Sequence, residues 1–137
     1  MSEAFGKGRS AVVVTASTRA AAGVYEDRSG PVIVERLRAW GFEVGDPVVV
    51  PDGDEFGRAL RVALAGEPAL VLTSGGTGLT PTDGTPEQTA PLLDRFVPGV
   101  AEAIVAAGGS PDDAKGLLKT RHPGSMLLIL ACLWKAP

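Results

Sequence analysis

The residues best suited to chemistry form a glycine-rich segment, Ser74-Gly75-Gly76-Thr77-Gly78, directly after the apolar residues 69–73. Adjacent glycines reach positive φ and let the backbone approach a ligand closely. Exposed N–H groups in such a loop form an anion-binding concavity. The segment is neither a P-loop, because it lacks Gly-Lys-Ser/Thr, nor a dinucleotide fingerprint. An anion-binding loop and a simple tight turn are its two interpretations.

A carboxylate and a predicted helix start follow this glycine segment. Asp83 comes first, and Thr85 and Pro86 predict a helix with Thr85 as N-cap and Pro86 at the first position. The positive end of that helix would favour an anion. A carboxylate beside an anion is repulsive unless a cation or donor lies between. Asp83 therefore either holds Mg²⁺, hydrogen-bonds an N–H-rich heterocycle, or only caps the helix.

Two further acidic residues follow predicted strands. Asp52 lies in a Pro-Asp-Gly stretch after residues 42–50, and Asp27 precedes a predicted helix. Their structural alternatives are a turn residue for Asp52 and helix capping for Asp27, with Ser29 as another candidate N-cap.

The apolar pattern alternates between strands and helices. We predict strands near 11–16, 44–50, 69–73 and 126–132, and helices near 30–40, 54–65, 85–95 and 99–107. The unbroken β-branched run at 11–16 is typical of a parallel strand covered on both faces, and Pro47 indicates an edge strand. The pattern predicts an α/β fold with three layers, α/β/α, and a mostly parallel sheet.

Three loops follow predicted strands, at 17–30, 51–54 and 74–85. Ligands of open α/β sheets bind outside the carboxyl ends of the strands. We therefore expect the three loops to converge on one cleft.

Composition restricts the function classes. Hydrophobic residues make up 45% and charged residues 21%, which is typical of one globular domain, here 1–137. The net charge of −3, without a long basic run, argues against nucleic-acid binding. One cysteine and one histidine exclude an intramolecular disulfide, a zinc ribbon and a multi-histidine metal site. No apolar stretch approaches the ~20 residues of a membrane span, so we expect a soluble cytoplasmic protein.

Four segments together resemble one known family. Residues 73–89, TSGGTGLTPTDGTPEQT, are similar to the signature of the molybdopterin-binding domain of molybdenum cofactor biosynthesis. Residues 17–31, 49–52 and 98–104 resemble its first loop, its second loop and the helix after the signature. The resemblance covers about 10–107 and is strongest to bacterial molybdopterin adenylyltransferases.

The resemblance implies an activity. Adenylyltransferases of this family transfer AMP from Mg-ATP onto the phosphate of molybdopterin, a pterin dithiolene. It implies that Asp52 and Asp83 are catalytic and bind Mg²⁺. It implies ligand binding by first-loop and signature residues, namely Ser17, Asp27, Ser74, Gly75, Gly76, Thr77, Gly78 and Thr85. It also implies a homotrimer, with other molybdenum cofactor biosynthesis proteins as partners.

The sequence departs from the family in two places. Thr82-Asp83-Gly84 stands where the family often has Arg-Asp-Val, and this removes a possible phosphate contact. After residue 108 we recognise neither the family's Asn-x-Pro-Gly loop nor its covering helices. We interpret 108–137 as an atypical tail, from truncation or a shifted reading frame, that limits activity and leaves an apolar face partly bare. A non-catalytic protein that binds molybdopterin or its precursor, and an inactive truncated member, are the alternatives to an active enzyme.

Overall fold

The architecture is built on a six-stranded sheet. The computed structural model describes residues 6–76, 84–94, 115–122 and 125–132. The strands are β1 (Ser10–Ala16), β2 (Glu43–Val44), β3 (Val48–Val50), β4 (Leu70–Gly75), β5 (Lys115–His122) and β6 (Ser125–Cys132). The helices are α1 (Thr18–Ala21), α2 (Ser29–Ala39), α3 (Asp54–Ala65) and α4 (Thr85–Thr89), which a 3₁₀ turn (Ala90–Leu92) follows.

The strand order is β2-β1-β4-β6-β5, and β3 also pairs with β1. Every pair is parallel except β5 with β6. This arrangement confirms the predicted mostly parallel sheet. It also places the carboxyl ends of β1, β3 and β4 at the same edge.

Helices cover both faces of this sheet. Successive side chains of β1 point to opposite faces because the side-chain period of a strand is two. Val14 and Ala16 therefore pack with α3, whereas Ala11 and Val13 pack with α2. The α3 residues in the first cluster are Phe56, Leu60, Ala63 and Leu64, and the α2 residues in the second are Val34 and Leu37. The predicted three layers, α/β/α, are confirmed.

The single strand predicted at 44–50 is wrong in detail. It is two short strands, β2 and β3, both paired with β1. Ala11 lies opposite Val44 and Val14 opposite Val48, so the second strand holds one extra residue between these pairs. Pro47 lies in that interruption and has no N–H to donate to the ladder, which explains the break.

The helix predicted at 85–95 is shorter than expected. The α-helix ends at Thr89, and Pro91 lies in the 3₁₀ turn. Proline removes a backbone donor and clashes with the preceding turn, so the α-helix does not continue through it. The helices predicted at 54–65 and 30–40 are confirmed, whereas the one predicted at 99–107 falls outside the described residues.

The C-terminal part contains a strand pair where the sequence indicated one strand. β6 confirms the strand predicted at 126–132 and pairs in parallel with β4, with Ser74 opposite Cys132. β5 was not predicted, because Lys115–His122 does not alternate apolar and polar residues. It pairs antiparallel with β6 and lies at the end of the strand order. No helix in the described ranges is long and apolar enough to cross a membrane.

Candidate functional site

Three parallel strands end side by side at one edge of the sheet. Ala16 pairs with Val50 of β3 and with Gly75 of β4. The backbone continues this alignment past the strands, because Ser17 N–H donates to Val50 O at 2.9 Å and Gly76 N–H donates to Ala16 O at 3.0 Å. The loops that begin at 17, 51 and 76 therefore start next to one another. The third loop begins at 76 rather than at the predicted 74, because β4 continues to Gly75.

Asp52 joins two of these loops. Its Oδ1 accepts hydrogen bonds from Gly53 N–H at 2.7 Å, Gly84 N–H at 3.1 Å and Thr85 Oγ1–H at 2.8 Å. Its own N–H donates to Thr18 Oγ1 at 3.3 Å, which adds a contact with α1. Three donors on one oxygen fix the carboxylate at the place where the loops meet.

The start of α4 differs from the prediction. Gly84 O accepts the first helical hydrogen bond, from Gln88 N–H at 2.9 Å, so Gly84 rather than Thr85 is the N-cap residue. Thr85 is the first helical residue, and its hydroxyl donates to Asp52. Among the described residues, the anion that is bound at the start of α4 is the carboxylate of Asp52.

The two glycines at the end of β4 approach protein rather than open space. Gly75 has φ +82°, and a Cβ there would lie 2.2 Å from Ala16 O. Gly76 has φ +70°, and a Cβ there would lie 2.1 Å from Thr85 Oγ1. Both positions therefore require glycine for close packing against β1 and α4, whatever the loop binds.

Asp27 is held by donors from β1 and from the start of α2. Thr15 Oγ1–H donates to Asp27 Oδ2 at 3.1 Å, and Gly30 N–H donates to Oδ1 at 3.1 Å. Ser29 Oγ–H also donates to Oδ1, at 3.4 Å. The N-cap residue of α2 is Arg28, and the carboxylate of Asp27 just before it accepts from the first turn of the helix. The prediction of Ser29 as N-cap is wrong because Ser29 is already the first helical residue.

Two serines continue this arrangement. Ser29 Oγ is hydrogen-bonded to Ser74 Oγ, which links the first loop to β4. Ser74 is 2% exposed, so its hydroxyl is almost completely withdrawn from solvent. Ser17 belongs to the same edge and caps α1, because its Oγ accepts from Ala20 N–H at 3.2 Å.

The structure thus brings together seven of the predicted site residues, namely Ser17, Asp27, Asp52, Ser74, Gly75, Gly76 and Thr85. Thr77, Gly78 and Asp83 fall outside the described residues. Sequence reasoning missed Thr15 and Thr18, which bond to Asp27 and Asp52. Their signal was a hydroxyl at or just beyond the end of an otherwise apolar strand. In the described part of the chain, no three metal-ligating side chains cluster together.

Comparison with known proteins agrees with this geometry. A family model described as a probable molybdopterin binding domain matches residues 12–132. A molybdenum cofactor biosynthesis bifunctional protein from Synechococcus elongatus is 43% identical over 101 residues, which are 73% of this chain and 32% of that protein. A molybdopterin adenylyltransferase from Escherichia coli is 36% identical over 97 residues, 67% of this chain and 49% of that enzyme. The chain thus spans half or less of the length of these two relatives.

A solved structure is similar over most of its length. The molybdopterin biosynthesis Mog protein from Mycobacterium ulcerans superposes with a TM-score of 0.75 at 43% identity. The match covers 90% of this chain and 82% of that one. The family match runs to residue 132 and so includes β5 and β6, beyond the segments that carry the resemblance in the sequence.

Proposed function

This chain belongs to the molybdopterin-binding domain family, and from that membership we propose that it adenylylates molybdopterin in molybdenum cofactor biosynthesis. The observation that carries the proposal is Asp52, held by three donors where the three loops meet. Relatives named molybdopterin adenylyltransferase support the reaction type. We further propose that 1–137 forms a single domain.

The reaction transfers AMP. An oxygen of the molybdopterin phosphate attacks the α-phosphorus of ATP, a new P–O–P bond forms, and the bond to the β-phosphate breaks to release pyrophosphate. Such phosphoryl chemistry needs positioning and charge neutralisation more than covalent help from the protein. Asp52 could hold the cation that neutralises this charge, because three donors fix its carboxylate before substrate arrives.

We propose that a magnesium ion binds at this edge. Mg²⁺ in nucleotide sites is held by one or two carboxylates, with phosphates and waters as its other ligands. Asp52 provides one carboxylate, and we propose Asp83 as the second on the strength of the resemblance. The ion would neutralise phosphate charge beside these carboxylates.

The remaining site assignments extend this proposal. We propose that molybdopterin and ATP bind at the edge formed by Ser17, Asp27, the glycine segment 74–78 and Thr85. Gly76 N–H already donates to Ala16 O, so it is not the N–H that receives a phosphate. We propose Thr77 and Gly78 as further ligand-binding residues on the strength of the resemblance.

The direct test is formation of adenylylated molybdopterin. Purified protein incubated with molybdopterin, ATP and Mg²⁺ is expected to release pyrophosphate and yield the adenylylated pterin, detected by mass spectrometry. Excess EDTA is expected to abolish the product, and added Mg²⁺ to restore it. Product formed equally well in EDTA would contradict the magnesium assignment, and no product with Mg²⁺ would contradict the activity.

A non-catalytic role is the second candidate. The sequence lacks the arginine that often precedes the signature aspartate, and it lacks a recognisable Asn-x-Pro-Gly loop. The absence of these two features would remove phosphate contacts. The three loops at the described edge of the sheet would stay in place. Tight molybdopterin binding without pyrophosphate release would identify this role, and neither binding nor release would identify an inactive member.

We also propose a cytoplasmic homotrimer, which works with other molybdenum cofactor biosynthesis proteins. The trimer rests on the resemblance to the family. Light scattering coupled to size exclusion is expected to give three times the mass of one chain. A monomer at micromolar concentration would contradict the trimer.

A further inference from the structure

A network of hydrogen-bonded side chains runs from Ser74, at the end of β4, through Ser29 to Asp27. We propose that these three residues position Gly75 and Gly76 for the adenylyl transfer proposed above. The inference rests on the proposed function for its kinetic part only. Its structural part can be tested on the protein without substrate.

The direction of the hydrogen bond to Asp27 follows from the chemistry of the groups. An ionised carboxylate only accepts, whereas a serine hydroxyl has one proton to donate. Ser29 donates to Asp27 at 3.4 Å, and either serine can donate in the bond between Ser29 and Ser74. In either direction this bond joins the start of α2 to the end of β4.

Asp27, at one end of this hydrogen-bonded network, is bonded to two secondary-structure elements. Asp27 Oδ2 accepts from Thr15 of β1, and Oδ1 accepts from Gly30 N–H at the start of α2. A Cβ at Gly30 would lie 2.2 Å from Asp27 Oδ2, so glycine at this position lets the carboxylate approach the helix closely. Asp27 is thus fixed from both sides, and Ser29 transmits that position to Ser74.

At the other end of this network, Ser74 is the second-last residue of β4. Ser74 immediately precedes Gly75 and Gly76, and Gly76 N–H is held by Ala16, the neighbour of Thr15. Thr15 and Ser74 are 3% and 2% exposed. Removing the Ser29 hydroxyl leaves the buried Ser74 hydroxyl without this partner, and an unsatisfied buried group costs more than the bond itself contributes. We therefore expect Gly75 and Gly76 to become more mobile when the hydrogen bond between Ser29 and Ser74 is removed.

The kinetic test compares Ser29→Ala, Ser74→Ala and the double variant. Each single variant is expected to lower kcat about tenfold and to change KM less than about twofold, because the bond that is lost joins two side chains of the protein. The double variant should lose no more than either single variant, because both break the same link. Ser10→Ala, at the exposed opposite end of β1, is the matched control and should retain wild-type kcat.

The second measurement is amide hydrogen exchange without substrate. Exchange at Gly76 N–H is expected to be about tenfold faster in Ser29→Ala and Ser74→Ala, whereas exchange at Val13 in the same sheet stays within about twofold. Ser29→Thr keeps the hydroxyl and should retain wild-type exchange. Unchanged exchange at Gly76, or an equal increase throughout β1, would overturn the positioning role. Failure of the wild-type protein to adenylylate would overturn the proposed function, while the exchange data would still decide this inference.

Discussion

Asp52→Asn is expected to lower kcat for adenylyl transfer by about 10²–10³-fold, in the range seen when one electrostatic group is removed from a phosphate or oxyanion site. Asparagine keeps a carbonyl oxygen for Gly53, Gly84 and Thr85, so the loops should remain joined. The substitution removes the negative charge that would hold Mg²⁺. Steady-state kinetics with molybdopterin and Mg-ATP measures the loss.

Two companion variants separate charge from structure. Asp54→Asn removes the same charge two residues away, where the side chain is exposed and bonded only to Gln88 among the described residues. It should leave kcat within about twofold. Asp52→Ala also removes the acceptor and should lower the free energy of unfolding by about 1.5–3 kcal/mol. If Asp52→Asn retained more than about a tenth of the wild-type kcat, the role of Asp52 would be purely structural.

The layered fold could be predicted because local pattern and burial agree in its central elements. The β-branched run in β1 is buried on both faces, and α3 places Phe56, Leu60 and Leu64 on one side. Strong local signals of this kind survive packing unchanged. Weak local signals are not sufficient to predict an element. β5 pairs with β6 along its whole length, and the sequence Lys115–His122 alone does not indicate this pairing.

The site could be predicted residue by residue, but its connections could not. Asp52 and Thr85 were each singled out, yet their hydrogen bond joins residues 33 positions apart. The alternatives weighed for Asp52, a turn residue or a functional carboxylate, are not exclusive, because the same oxygen closes the turn at Gly53 and reaches α4. Asp27 similarly accepts from the first turn of α2 and bonds to β1. A residue that the sequence identifies as a turn or capping residue can therefore also make long-range contacts in the fold.

Gly76→Ala tests whether the glycine segment and Asp52 act as one unit. The new methyl group would overlap Thr85, since a Cβ at Gly76 lies 2.1 Å from Thr85 Oγ1 and 2.6 Å from Thr85 Cβ. Thr85 is 6% exposed and cannot turn into solvent. It must move away from Asp52, and its 2.8 Å hydrogen bond to the carboxylate is the contact that lengthens. We expect unfolding free energy to fall by about 2–5 kcal/mol, from positive-φ strain plus overpacking.

Gly23→Ala provides the matched control for backbone strain. Gly23 has φ +74°, close to the +70° of Gly76, but a Cβ there meets nothing within 4 Å. Its cost should be the strain alone, about 1–2 kcal/mol, with kcat unchanged. Gly76→Ala should in addition lower kcat about 100-fold, because a displacement near 1 Å at a positioning group costs this much. Urea unfolding and kinetics on both variants measure the two effects. Equal losses of stability, or full activity in Gly76→Ala, would show that the glycine segment does not position Asp52 through Thr85.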